Sequence, residues 1–330
     1  SSLTNDVIDI FSNRESFAAI KSDGSVITWG DSVHGGDSSS VAPSLNGGVN
    51  KIFSSGGAFA ALKNDGSVVT WGYSDAADSN EVSEVSEIYS TEEAFAALKN
   101  DGSVISWGDS GAGGDQSLVA SDLTSGITQI FSTEKAFAAL KNDGSVVTWG
   151  NDTDGGNSSD ISSQIDSDVI SISSTDGAFA ALKRDGSVIT WGNSVYGGDS
   201  SSVTDQIKSG ISQVFSNENA FAALTDEGSV ITWGNSEYGG DSSSVTLSIN
   251  SDVDYIYSTK RAFAALKKDG SIISWGHPDH GGNQSSVTTE LNNEIAFLAN
   301  PFTNDWINKK PTAIIFSYNN IMENIDAESV

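Results

Sequence analysis

The residues best placed to do chemistry lie in a repeated loop, written Tyr-Gly-Gly-Asp at 196–199 and again at 238–241. The residue before Gly-Gly is His34, Ala112, Asp154, Tyr196, Tyr238 and His280 in successive copies. The residue after it is Asp37, Asp115, Asn157, Asp199, Asp241 and Asn283. Aromatic rings offer apolar area at small entropic cost, and a neighbouring carboxylate accepts hydrogen bonds from hydroxyls. His34, Tyr196, Tyr238 and His280, with Asp199 and Asp241, are therefore the candidate ligand-binding set, for a glycan, a peptide or a surface protein. Against that, rings and turn-forming acids are ordinary in exposed loops. A metal reading takes Asp37 and Asp115, but calcium needs six to eight oxygens and each copy offers one carboxylate. His277 and His280 are a close pair with no Cys beside them, a poor start for a zinc site.

Catalysis finds no motif. The chain has no Cys and three His, with no HExxH, no GxSxG and no Gly-rich loop ending in Lys-Ser/Thr. Forty-four acids leave carboxylate-pair chemistry open, yet no constellation stands out, and the expectation is a non-enzymatic protein without a cofactor. Those acids against sixteen Lys and Arg give a net charge of −28. Such a surface repels phosphate, so no nucleic acid is expected as partner, and it disfavours docking on anionic lipid. No apolar run approaches the roughly 20 residues that span a bilayer. The absence of Cys excludes a disulfide framework without identifying a compartment. The opening SSLTND has neither an initiator Met nor a signal peptide, which reads as a fragment of something longer, monomeric as it stands.

The elements that must position these loops come from a repeat. AFAALKNDGSVVTWG stands at 58–72 and again at 136–150, and the Trp of Trp-Gly recurs at 29, 71, 107, 149, 191, 233 and 275. The gaps are 42 residues except one of 36, giving seven copies. AFAAL reads as a strand covered on both faces, and SVVTW is β-branched and aromatic. Asp-Gly between them predicts a two-residue type I′ hairpin. A third β-rich run lies upstream, as in VIDIFS at 7–12 and ISQVFS at 211–216. Beyond Gly-Gly-Asp, Val41 and Leu45, Val203 and Ile207, and Val245 and Ile249 are spaced by four, which suits one helical turn or one face of a short strand; a polar outer edge strand is the favoured expectation. Meanders of this length close radially more readily than they stack, which predicts an all-β, seven-bladed β-propeller of ~42-residue blades. The Trp residues are expected in its core. The turn between the first two strands varies while its flanks repeat, running Arg14-Glu15, Gly56-Gly57, Glu92-Glu93, Glu134-Lys135, Asp176-Gly177, Glu218-Asn219 and Lys260-Arg261. These turns and the His/Tyr-Gly-Gly loops are read as two candidate rims, the second favoured for its rings.

The string from Phe-Ala-Ala-Leu through Asp-Gly-Ser-Val and Trp-Gly to Tyr-Gly-Gly resembles the regulator of chromosome condensation repeat. The resemblance covers residues 1–291 and implies a seven-bladed propeller with a central channel. The copies here are shorter than that family's usual blades. Phe59 and its equivalents stand where the family often has His, and Tyr-Gly-Gly-Asp replaces Tyr-Gly-Gln-Leu. The founder's work on chromatin does not suit a charge of −28. Residues 292–307 read as a partial eighth repeat or exit strand, because NEIAFLAN at 293–300 falls in register with SDVDYIYS. Residues 308–330 read as a linker and a truncated first strand: Pro-Thr-x-Ile followed by Ile-x-Glu-Asn resembles the start of cadherin-like domains in large bacterial surface proteins. That resemblance implies Ca2+ at a domain junction with Glu323 as one ligand. The functional expectation is a binding or display module of a secreted or cell-surface, adhesin-like bacterial protein. An intracellular protein-interaction scaffold is the alternative.

Overall fold

The computed structural model describes residues 6–73 and 82–285. It contains seven antiparallel three-stranded sheets, each in simple meander order. They span Val7–Gly30, Val49–Gly72, Val85–Gly108, Ile127–Gly150, Val169–Gly192, Ile211–Gly234 and Val253–Gly276, here blades 1 to 7. In blade 1 the strands are β1 (Val7–Ser12), β2 (Ser16–Lys21) and β3 (Val26–Gly30). Turns from all seven blades line one central depression, so the blades are arranged radially about an axis. The protein is a seven-bladed β-propeller.

The repetition of AFAAL follows from alternation along a strand. Ala58, Ala60 and Leu62 of blade 2 face blade 3, where they meet Ile88, Phe95, Ala97 and Trp107. Phe59 and Ala61 face the other way, onto Ala18 and Ile20 of blade 1. A small face therefore receives a large one at each seam, and every such strand is apolar on both sides. Six of the seven Trp residues are buried in this core and Trp29 of blade 1 is only partly covered; each stacks on the Phe of its own blade, as Phe137 and Trp149 do with centroids 5.2 Å apart. The indole N–H of Trp149 also donates across the seam to the Gly113 carbonyl at 3.0 Å, and four other Trp residues repeat the bond. Trp107 Nε1 has no hydrogen-bond partner among the described residues. Its blade follows the shortened copy, which lacks the Gly-Gly loop that supplies the acceptor elsewhere.

Two local expectations are corrected. Past Gly-Gly-Asp, short 3-10 helices of three to seven residues replace the outer strand, as at Ser39–Leu45, Ser201–Val203 and Ser243–Val245. Ser and Asp here close short local bonds, Val203 N–H to the Ser200 carbonyl and Ser201 N–H to the Asp199 carboxylate, which removes the donors a ladder would need. Val and Leu or Ile at spacing four then turn inward to fill the seam. The Asp-Gly hairpin is also not type I′. Gly24 N–H donates to the Lys21 carbonyl, Lys21 N–H donates to the Ser25 carbonyl, and only the glycine of the pair has positive φ. This is a type I turn closed by a left-handed glycine bulge. Asp23 favours it by accepting from both the N–H and the hydroxyl of Ser25.

Among the described residues no helix is long and apolar enough to cross a membrane. The expected partial eighth repeat (292–307), the cadherin-like strand (308–330) and its Glu323 lie outside the described residues.

Candidate functional site at the ring axis

The chain runs toward one face in the first strand of a blade, away in the second, and back in the third. The variable turns and the loops after Trp-Gly therefore emerge on the same face. Side chains at one repeat position tie them together: Thr91, Thr133, Thr175, Asn217 and Thr259 donate to the carbonyls of Ala112, Asp154, Tyr196, Tyr238 and His280. The two expected rims are thus one face, with the turns as an inner ring and the Tyr-Gly-Gly loops outside it. This corrects the sequence reading, which treated them as alternatives.

The inner ring encloses a depression of about 400 Å3 on the axis. Backbone bonds stitch neighbouring turns of blades 3 to 7: Glu92 N–H to the Glu134 carbonyl, Glu134 N–H to Asp176 and Asp176 N–H to Glu218, each at 2.8 Å, and Glu218 N–H to Lys260 at 3.3 Å. The first residue of each turn consequently converges on the axis. Around the ring these are Arg14, Gly56, Glu92, Glu134, Asp176, Glu218 and Lys260. Four acids stand in a row between cations at either end.

The end acids are neutralised within the protein. Glu92 pairs with Arg14, and Glu218 pairs with Lys260 at 3.2 Å and Arg261 at 3.9 Å. Glu134 and Asp176 form no ion pair among the described residues. Burial, then the neighbouring Glu92 charge, raises the Glu134 carboxyl above its usual range. Burial also dominates at Asp176, with Glu134 and Glu218 adding like charge, and pushes its carboxyl up to about 8. The protonated form of Asp176 is thereby favoured, and a half-buried carboxyl perturbed in this way inside a cleft marks a candidate site.

The residues singled out from sequence fall around this mouth unequally. Tyr196 stands near Glu134 and Asp176, and burial followed by those charges raises its phenol. Tyr238 carries the Arg261 guanidinium 5.0 Å above its ring. His34 stacks against Tyr73 and bonds Asp31 through Nδ1 at 2.7 Å. His280 meets His277 edge to face. Asp199 and Asp241 serve their own turns, accepting from Ser201 and Ser243 N–H, as Asp37 and Asp115 do from Ser39 and Ser117. Those backbone bonds lower all four carboxyls. Glu15, Asp31 and His34 bring three potential metal-ligand atoms within 4.8 Å of one another. Asp31 Oδ1, however, already caps the loop by accepting from Val33 and His34 N–H.

The acid row was missed in the sequence reading although its residues head the seven variable turns. The signal becomes visible once one repeat position is read around the ring rather than along the chain.

Fold and mouth together define the class, a seven-bladed propeller with an acidic axial depression. No protein-family model and no curated protein matches the chain. Solved structures do. Yeast RCC1 (Prp20), in complex with Kap60, is 15% identical over 95% of this chain and 76% of its own, with a TM-score of 0.43. Prp20p of Saccharomyces cerevisiae, in a structure described with its binding to Gsp1p and histones, is 16% identical over 70% and 72%, at 0.42. The ectodomain of the Physcomitrella patens receptor kinase CR4 is 14% identical over 82% and 73%, at 0.43.

Proposed function

We propose that the chain is a protein-binding module that meets its partner on the turn-bearing face, with the axial depression receiving a basic side chain. The observation that carries this reading is the pair Glu134 and Asp176, an exposed and a half-buried acid that line the axial mouth and that no ion pair neutralises among the described residues. A Lys or Arg side chain entering the mouth supplies the missing charge and lowers the cost of ionising Asp176. Tyr196 and Tyr238 flank the entry and add apolar contact to a peptide backbone or to a bound sugar. Export within a larger bacterial surface protein is the wider setting we favour, on the cadherin-like opening at 311–324, the absence of Cys and the acidic surface. An intracellular scaffold would use the same face.

The test is a panel of peptides rich in Lys/Arg, matched acidic peptides and glycans, read against the parent chain and the pair Glu134→Gln with Asp176→Asn. Basic peptides should bind the parent, weaken at high salt, and lose at least tenfold in affinity on neutralisation of the pair. Binding that is unchanged in that variant removes the axial role. Loss only on Tyr196→Ala with Tyr238→Ala moves recognition to the outer ring.

A further inference from the structure

One seam of the ring differs from the rest. The six residues equivalent to Phe17, from Phe59 to Phe263, are at most 1% exposed, whereas Phe17 is 44% exposed. Ile10 is 56% exposed, and its equivalents Ile52, Ile88, Ile130, Ile172, Val214 and Ile256 are all buried. On the facing blade, Ala264 is partly exposed where Ala60, Ala138 and Ala222 are fully buried. A Cβ on Gly35, Gly155 or Gly239 would strike the Phe ring of the next blade at 2.6–2.9 Å, but at Gly281 it would reach only the Thr259 methyl. Blades 7 and 1 thus present two apolar faces that do not pack on each other as their counterparts do.

We propose that residues 286–300 of this chain insert between blades 7 and 1, with 295–299 as a strand covering Ile10 and Phe17. Three observations support this occupant. At other seams the segment after Gly-Gly delivers Val41 and Leu45, or Val245 and Ile249, into the interblade core. Val287 and Leu291 preserve that spacing. The ten-position step from Ser285 to Ile295 matches that from Ser39 to Val49, which carries blade 1 into blade 2. Finally, Ile295-Ala-Phe-Leu-Ala299 is apolar on both faces, unlike VIDIFS, ITQIFS or ISQVFS, which each place a polar residue mid-strand. A strand with two apolar faces needs two covers, and this seam has two to offer.

Because the chain has no Cys, a specific cross-link is a clean test. The full chain carrying Ile10→Cys and Ala299→Cys is treated with a short bismaleimide and resolved by size and mass. An intramolecular link is expected. A link only between chains assigns the seam to a second copy, and no link leaves 286–300 elsewhere; either result overturns the proposal. Hydrogen exchange gives a second readout in Ile295→Asp with Leu298→Asp. Protection of residues 16–21 should fall at least tenfold while 136–141 keep theirs, and equal protection of 16–21 in parent and variant also overturns it.

Discussion

The hairpin acids on one face of the ring and the axial acids on the other are treated in opposite ways. On the hairpin face, Asp23, Asp65, Asp101, Asp143, Asp185 and Asp269 each accept from the hydroxyl and the N–H of a Ser two residues on. The Ser hydroxyl bond, then the backbone bond, lowers every one of them. On the axial face, Glu134 and Asp176 are raised by desolvation and by neighbouring acids, Glu92 beside Glu134 and both Glu134 and Glu218 beside Asp176. The hairpin acids serve local structure and are satisfied where they stand. The axial acids serve nothing local, which is why we assign them to a partner.

The strongest way to break this contrast is to remove the axial charge. Asp176→Asn should stabilise the fold at alkaline pH, because the native carboxyl, at about 8, lies far above its unfolded value. Stability tied to Asp176 is complete below about pH 4, where both states hold the proton, and is lost as pH rises toward 8. The gain from Asn should therefore be near zero at pH 4, grow by at most roughly 1.4 kcal/mol per pH unit, and level off above about pH 8. Thermal melts across that range measure it, and a gain independent of pH would contradict the account.

The fold was legible because the chain repeats. Seven Trp-Gly copies, a strand apolar on both sides and Gly-mediated turns each point to the same blade, and errors average out over the copies. What lacked that redundancy was misread. The Ser-rich segment after Gly-Gly has spacing that suits a strand or a turn, and only its local side-chain bonds decide for the turn. The axial site escaped notice because its residues are 42 or 36 positions apart in the chain and become neighbours solely through radial closure. Burial at the axis, and with it the rise at Asp176, is a property of the ring and is written in no single repeat.

A smaller effect sharpens the hairpin side of the comparison. Glu84 holds φ +61 at a position that other copies fill with Gly48, Gly126 and Gly210 or with Asp. A left-handed Glu is strained by its Cβ. Glu84→Gly should raise stability by about 0.5–1 kcal/mol in urea unfolding with little pH dependence, since this acid neither caps a turn nor lines the axis. A loss of stability would show that its contact with Lys99, at 3.8 Å, matters more than the backbone.

The smallest expected change is at a single hairpin acid. Asp143→Ala should lower the melting temperature slightly at pH 7, and the deficit should shrink as pH falls through the lowered carboxyl. The sign is opposite to that at Asp176, for the stability Asp143 contributes is present above its unfolded value and disappears in acid. A deficit that persists unchanged at pH 2 would mean the side chain acts through packing instead.

The contrast itself can be read directly by following side-chain carboxyl 13C shifts of Asp143 and Asp176 through a pH titration of the folded protein. Asp143 is predicted to ionise below the ordinary Asp range and Asp176 near pH 8, with its midpoint falling when a basic peptide is bound. Ionisation of both residues together near pH 4 would contradict the account, because the axial acids would then be no different from those on the opposite face.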